Sequence, residues 1–102
     1  MKYYLYKLLP PRPTFPGDIT PAEASKMKEH SAYWRTQMEL DRVIAFGPVA
    51  DPSGAYGIAI LQSGGDVSPD ALADMDPVIV AKMGFRYELH PMPSLIHLRT
   101  GR

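Results

Sequence analysis

Two stretches of the chain, Val43 to Val49 and Ala55 to Leu61, are dense in Val, Ile, Phe and Tyr, and Asp51, Pro52, Ser53 and Gly54 lie between them. A side-chain acceptor, a fixed φ and a permissive glycine are turn chemistry, so the segment predicts a β-hairpin. Its apolar positions do not keep to one side. Ile44 and Phe46 alternate with Val43, Ala45 and Val49, and Ile58 and Ile60 alternate with Ala59 and Leu61. Both faces of these strands therefore call for cover. Lys2 to Leu9 repeats the pattern, with Tyr4, Tyr6 and Leu8 on one face and Tyr3, Leu5 and Leu9 on the other, and predicts a further strand. Late in the chain Phe85, Tyr87 and Leu89 alternate with Arg86, Glu88 and His90, which predicts a strand with one polar face near a sheet edge, stopped by Pro91 and Pro93.

The period changes between the first strand and the hairpin. Thr20-Pro21-Ala22-Glu23 combines a capping hydroxyl, a first-turn proline and a capping-box carboxylate, and predicts a helix running to about Leu40. Ala24, Met27, Ser31, Trp34 and Met38 make its sheet-facing stripe; His30, Tyr33 and Gln37 border it, and Lys28, Glu29, Arg35, Thr36 and Glu39 face solvent. Ser68-Pro69-Asp70 starts a second helix. Asp76-Pro77 breaks it, and Asp76 can cap a further turn from Val78 to Lys82, ended by Gly84. Pro10 to Asp18 is too proline-rich for helix or ladder and reads as an extended loop, a stiff connector or the rim of a pocket, carrying the cation Arg12 and the aromatic Phe15.

The predicted order is β, α, β, β, α, β: an α+β, ferredoxin-like arrangement with one antiparallel sheet and helices on one face. The other sheet face is left bare. Its apolar residues predict a homodimer packed sheet to sheet, a dimeric α/β barrel.

Composition narrows the classes. At 102 residues the chain is expected to form a single domain over 1–102, with 94–102 as an arm or tail. It contains no cysteine, which excludes disulfide scaffolds and thiolate chemistry and fits a reducing compartment. Lys plus Arg equals Asp plus Glu at 11 each, so no basic field draws a nucleic acid. Lys7 and two prolines interrupt the apolar start before a signal core or membrane span is reached. The expectation is a cytoplasmic protein with no nucleic acid or membrane partner.

Candidate chemistry is sparse. No metal-ligand spacing connects His30, His90 and His97, no glycine-rich phosphate loop follows a strand, and Ser31 and Ser53 lack a base partner. Neither metal nor cofactor is expected. His30, at a helix border near the proline-rich loop, is the group placed for acid–base work. From the residues alone the favoured reading of His30 is a border histidine bonded to a backbone carbonyl, and that of Asp76 a helix cap.

His30 followed by Tyr33, Gly47-Pro48 closing the second strand, and Asp76-Pro77 after the second helix resemble the pattern of the YCII-related family, over roughly Met1 to Pro93. The resemblance implies the dimeric α/β-barrel fold and an active site centred on a histidine and an aspartate, here His30 and Asp76, with the Gly-Pro pair at Gly47 and Pro48. Two features depart from the family: Val78 stands where an aromatic is common, and the loop from Pro10 to Asp18 is longer than in many members. The resemblance implies a cofactor-independent lyase or isomerase, including dehydrochlorination of ring compounds among related proteins. In that enzyme His30 moves a proton and Asp76 orients it. Arg12, Phe15, Tyr33, Gly47 and Pro48 would bind a small polar or aromatic molecule. The alternative is a module whose pocket holds a small ligand without turning it over.

Overall fold

Each helix begins where its capping residue lies. The computed structural model describes residues 1–98. In it α1 (Pro21–Glu39) starts behind Thr20, whose hydroxyl accepts from the Glu23 N–H while the Glu23 carboxylate accepts from the Thr20 N–H. α2 (Pro69–Asp74) starts behind Ser68 and α3 (Pro77–Val80) behind Asp76, each with proline in its first turn. Two short helices therefore stand where one broken helix was expected.

The strands are β1 (Lys2–Leu9), β2 (Val43–Val49), β3 (Tyr56–Ser63) and β4 (Arg86–Met92). They form one antiparallel sheet of order β2-β3-β1-β4, and the βαββααβ chain has ferredoxin-like topology. The β2–β3 turn closes as expected: Gly54 N–H donates to the Asp51 carbonyl, and the Asp51 carboxylate accepts from both the backbone and the hydroxyl of Ser53. Gly54 sits at φ +146°, which a side chain would strain. β4 lies at the sheet edge, as its polar face predicts, but runs on through Pro91, which an edge strand tolerates. β2 carries an irregularity between Val43 and Ala45, so Ile44 leaves the strict alternation that the sequence suggests.

Register settles which residues share a face. Tyr6 opposes Ala59 and Leu89, and Leu8 opposes Gly57 and Tyr87, so these form the helix-facing side. There Tyr6, Trp34, Leu61, Val78 and Asp76 are the largest fully buried side chains. Four are core hydrophobes, and the fifth is a carboxylate. Tyr3, Leu5, Leu9, Ile58 and Ile60 face the opposite way together with Lys7, and remain half-buried with no element over them among the described residues. Gln37, expected at the border of α1, is buried and accepts from the Arg42 guanidinium. No helix among the described residues is long and apolar enough to cross a membrane. Of the expected C-terminal arm, 94–98 has no regular structure and 99–102 lies outside the described residues.

Candidate functional site

Asp76 is fully buried, and burying a carboxylate is costly unless donors replace the lost water. Four groups from different parts of the fold supply them. The Tyr6 hydroxyl of β1 donates to Oδ2 at 2.7 Å, Trp34 Nε1 of α1 donates to Oδ2 at 2.8 Å, and the Val78 N–H donates to Oδ1 at 3.2 Å. His30 Nδ1 lies 2.9 Å from Oδ1 and 2.8 Å from Oδ2. His30 and Trp34 are four residues apart on α1, so one helix face delivers both to the same acceptor. The helix cap and the histidine partner are thus one residue, because the side chain that ends the α2–α3 break points under α1.

The neighbours of Asp76 are held as donors. Burial, and then the Asp76 charge, push the Tyr6 phenol well above its ordinary value. Tyr33 is pushed up to about 12, again by burial first and Asp76 second. Neither loses its proton near neutrality.

A carboxylate can only accept, so His30 Nδ1 carries a hydrogen and Nε2 of the uncharged ring is left as an acceptor. No described residue bonds Nε2, and no buried side-chain nitrogen or oxygen lacks a partner. Nε2 is therefore not sealed off. His30 lines a cavity of about 290 Å³ between α1, the β1–β3–β2 part of the sheet and the proline-rich loop. Tyr6, His30 and Trp34 form one end; Phe15, Pro16 and Ile19 of the loop close over it. Phe46, Gly47, Pro48 and Phe85 complete much of the wall. Phe15 meets Phe85 edge to face with ring centroids 5.3 Å apart, which fixes the loop over the cavity. Gly84 assists, since a Cβ there would lie 3.0 Å from Pro11 Cβ.

Of the residues singled out in the sequence, the structure brings together His30 and Asp76, and it places Phe15, Gly47 and Pro48 on the cavity wall. It directs two others elsewhere. Arg12 is not among the lining residues; its guanidinium donates to both Glu23 oxygens at 2.7 Å and to Asp18 Oδ1 at 2.9 Å. The Tyr33 hydroxyl donates to the Leu72 carbonyl at 2.6 Å and braces α1 against α2. His90 is paired with exposed Glu88 at 2.9 Å, and His97 bonds a backbone carbonyl in the C-terminal segment.

Sequence reasoning missed Tyr6 and Trp34 as polar partners, because their periodicity marks them only as core. It also missed the second role of Glu23, whose carboxylate closes the capping box and anchors Arg12 together. Among the described residues no group of three or more His, Cys, Asp or Glu could hold a metal ion. The chain matches no family model, and no curated protein matches it.

Proposed function

We propose that this chain is a small cofactor-independent enzyme of lyase or isomerase type, with His30 Nε2 as general base and Asp76 as the residue that orients it. One observation carries the reading: an imidazole bonded through Nδ1 to a buried carboxylate at 2.8 Å also lines a cavity, with its other nitrogen unbonded among the described residues. A weakly acidic proton of the bound molecule passes to Nε2, and its bonding pair stays on the molecule. The imidazolium keeps its Nδ1 hydrogen on Asp76, whose charge offsets the new positive charge. Returning the proton to another atom isomerises the molecule; departure of a leaving group with the electron pair makes the reaction a lyase step. The likeness of His30, Gly47-Pro48 and Asp76-Pro77 to the YCII-related family supports this reading, and the absence of cysteine fits a cytoplasmic setting.

Deuterium uptake from heavy water into a panel of phenols and keto acids tests it. His30→Ala should lose about a hundredfold or more of the exchange, the usual scale of a general base. His90→Ala and His97→Ala, on side chains away from the cavity, should keep it. Melting temperature measured on all three separates lost chemistry from lost structure. Full activity in His30→Ala would end the enzyme reading and leave a binding module.

The same proposal includes a homodimer. Tyr3, Leu5, Leu9, Ile58 and Ile60 make a half-buried apolar patch, interrupted by Lys7 opposite Glu88, on the sheet face that no helix among the described residues covers, and an identical face can pack on it about a twofold axis. Light scattering should give twice the chain mass at micromolar concentration, and Ile58→Lys should halve it. A monomeric parent protein would remove the dimer.

A further inference from the structure

The cavity wall contains aromatic rings and aliphatic side chains from every side, yet no Lys, Arg, Asp or Glu is among the residues that line it. Lys28 and Arg35 line a separate, open surface groove beyond Met27 and Ser31, and two further cations are engaged elsewhere. Arg12 is shared between Glu23 and Asp18, a cluster with more negative than positive charge. Lys7 lies with its ammonium 4.5 Å from the centre of the Tyr56 ring, and its side chain faces away from the helices. Behind the one base stands the buried Asp76 carboxylate. A carboxylate or phosphate entering this space would lose its water, meet no fixed cation and face an existing negative charge. An ammonium would also be stripped of water, and Asp76 already has its donors from Tyr6, Trp34, His30 and Val78.

From this we infer that the site takes an uncharged ring compound carrying one weakly acidic hydrogen beside a carbonyl. The inference rests on the proposed proton transfer and names its substrate class. Size agrees: about 290 Å³ is roughly twice the ~150 Å³ apolar cavity that accepts benzene, so one substituted ring or two fused rings fill it. Aromatic walls at Tyr6, Phe15, Trp34, Phe46 and Phe85 suit the faces and edges of such a ring. Ser31, which lines both the cavity and the neighbouring surface groove, is a neutral hydroxyl on the wall that could donate to the carbonyl oxygen.

Three probes with one bicyclic skeleton test the charge rule at neutral pH: β-tetralone, tetralin β-carboxylate and protonated β-aminotetralin. Calorimetry gives the affinities. Quenching of Trp34, the single tryptophan and a lining residue, reports whether binding occurs in this cavity. β-Tetralone should bind at least tenfold more tightly than either charged analogue, and Ser31→Ala should weaken it severalfold. A carboxylate or amine that binds as well as the ketone would overturn the inference, as would failure of all three to bind. Deuterium exchange at the carbon beside the tetralone carbonyl is read in the same samples. Tight ketone binding without exchange would refute the proton transfer and leave the ligand class standing. Exchange accompanied by equal or better carboxylate binding would refute the ligand class alone.

Discussion

Two carboxylate clusters stand behind the residues that line the cavity, one at its base beneath His30 and one at its roof beside the proline-rich loop, and they differ in how many of their partners keep contact with water. At the base, Asp76 is fully buried and draws donors from β1, α1 and α3. At the roof, Arg12 clamps Glu23 and Asp18 across the start of α1; the Glu23 side chain is only 7% exposed, but that of Arg12 is 31% and that of Asp18 48% exposed. Similar hydrogen-bond lengths therefore carry unequal consequences. Breaking the base strands several polar groups away from water, whereas at the roof Arg12 and Asp18 can return to it and only Glu23 stays buried. The first arrangement fixes the direction of the His30 ring; the second holds a loop in place.

The sharpest test of that contrast is Asp76→Ala. It leaves the Tyr6 hydroxyl, the Trp34 N–H and the His30 N–H without their shared acceptor, and should cost about 3–5 kcal/mol in urea denaturation. A loss below about 1 kcal/mol would mean that water replaces the carboxylate freely and that the base is no drier than the roof.

Next in size is Tyr6→Phe, which removes one donor to a charged acceptor and should cost about 1.5–3 kcal/mol near neutrality. Its pH dependence has a fixed sign. Burial and Asp76 raise the folded-state phenol above its ordinary 10.0, so the folded state holds this proton more tightly than the unfolded chain. The contribution is complete below pH 10.0 and shrinks as pH rises beyond it. Tyr33 and Tyr87, each raised to about 12, behave alike, so the Tyr6 share is the difference between the parent and Tyr6→Phe stability curves. Curves that stay parallel above pH 10.0 would detach Tyr6 from the carboxylate.

The contrast also marks what could be read from the chain. Local signals are legible: Thr20, Ser68 and Asp76 cap the helices they were expected to cap, and the Asp51–Gly54 turn joins its strands. Both depend on residues only a few positions apart. The alternation of Lys2 to Leu9 put Tyr6 on a shared face, but alternation cannot say that its hydroxyl meets a carboxylate 70 residues away. Trp34 was hidden similarly, because an apolar stripe reports a ring and not the N–H at its edge. Pairing His30 with Asp76 required a resemblance, since spacing says nothing about contact. Arg12 drew attention as the loop's one cation, and the nearer competitors decided its position: Asp18 ends the same loop, and Glu23 lies in the first turn of α1.

The smallest expected effect is at the roof, and it has its own acid signature. The Arg12 guanidinium first, and the Thr20 N–H second, hold the Glu23 carboxyl at about 2, below its ordinary 4.5. A depressed folded-state value means that the unfolded chain binds the proton more readily, so the stabilisation is fully present above pH 4.5 and is lost as pH falls toward 2. Glu23→Gln lacks that carboxylate at every pH. Its urea midpoint should sit below the parent's at neutral pH by less than the Asp76→Ala or Tyr6→Phe change, because Arg12 keeps Asp18. The gap should be constant above pH 4.5 and should narrow below it, which Tyr6→Phe cannot reproduce because Tyr6 responds on the alkaline side. High salt should also narrow it, since the clamp is partly exposed and screening reaches exposed pairs first. A gap that is the same at pH 3 and pH 7 would show that Glu23 acts through the uncharged capping box alone, and that the loop over the cavity is held by Phe15 packing on Phe85.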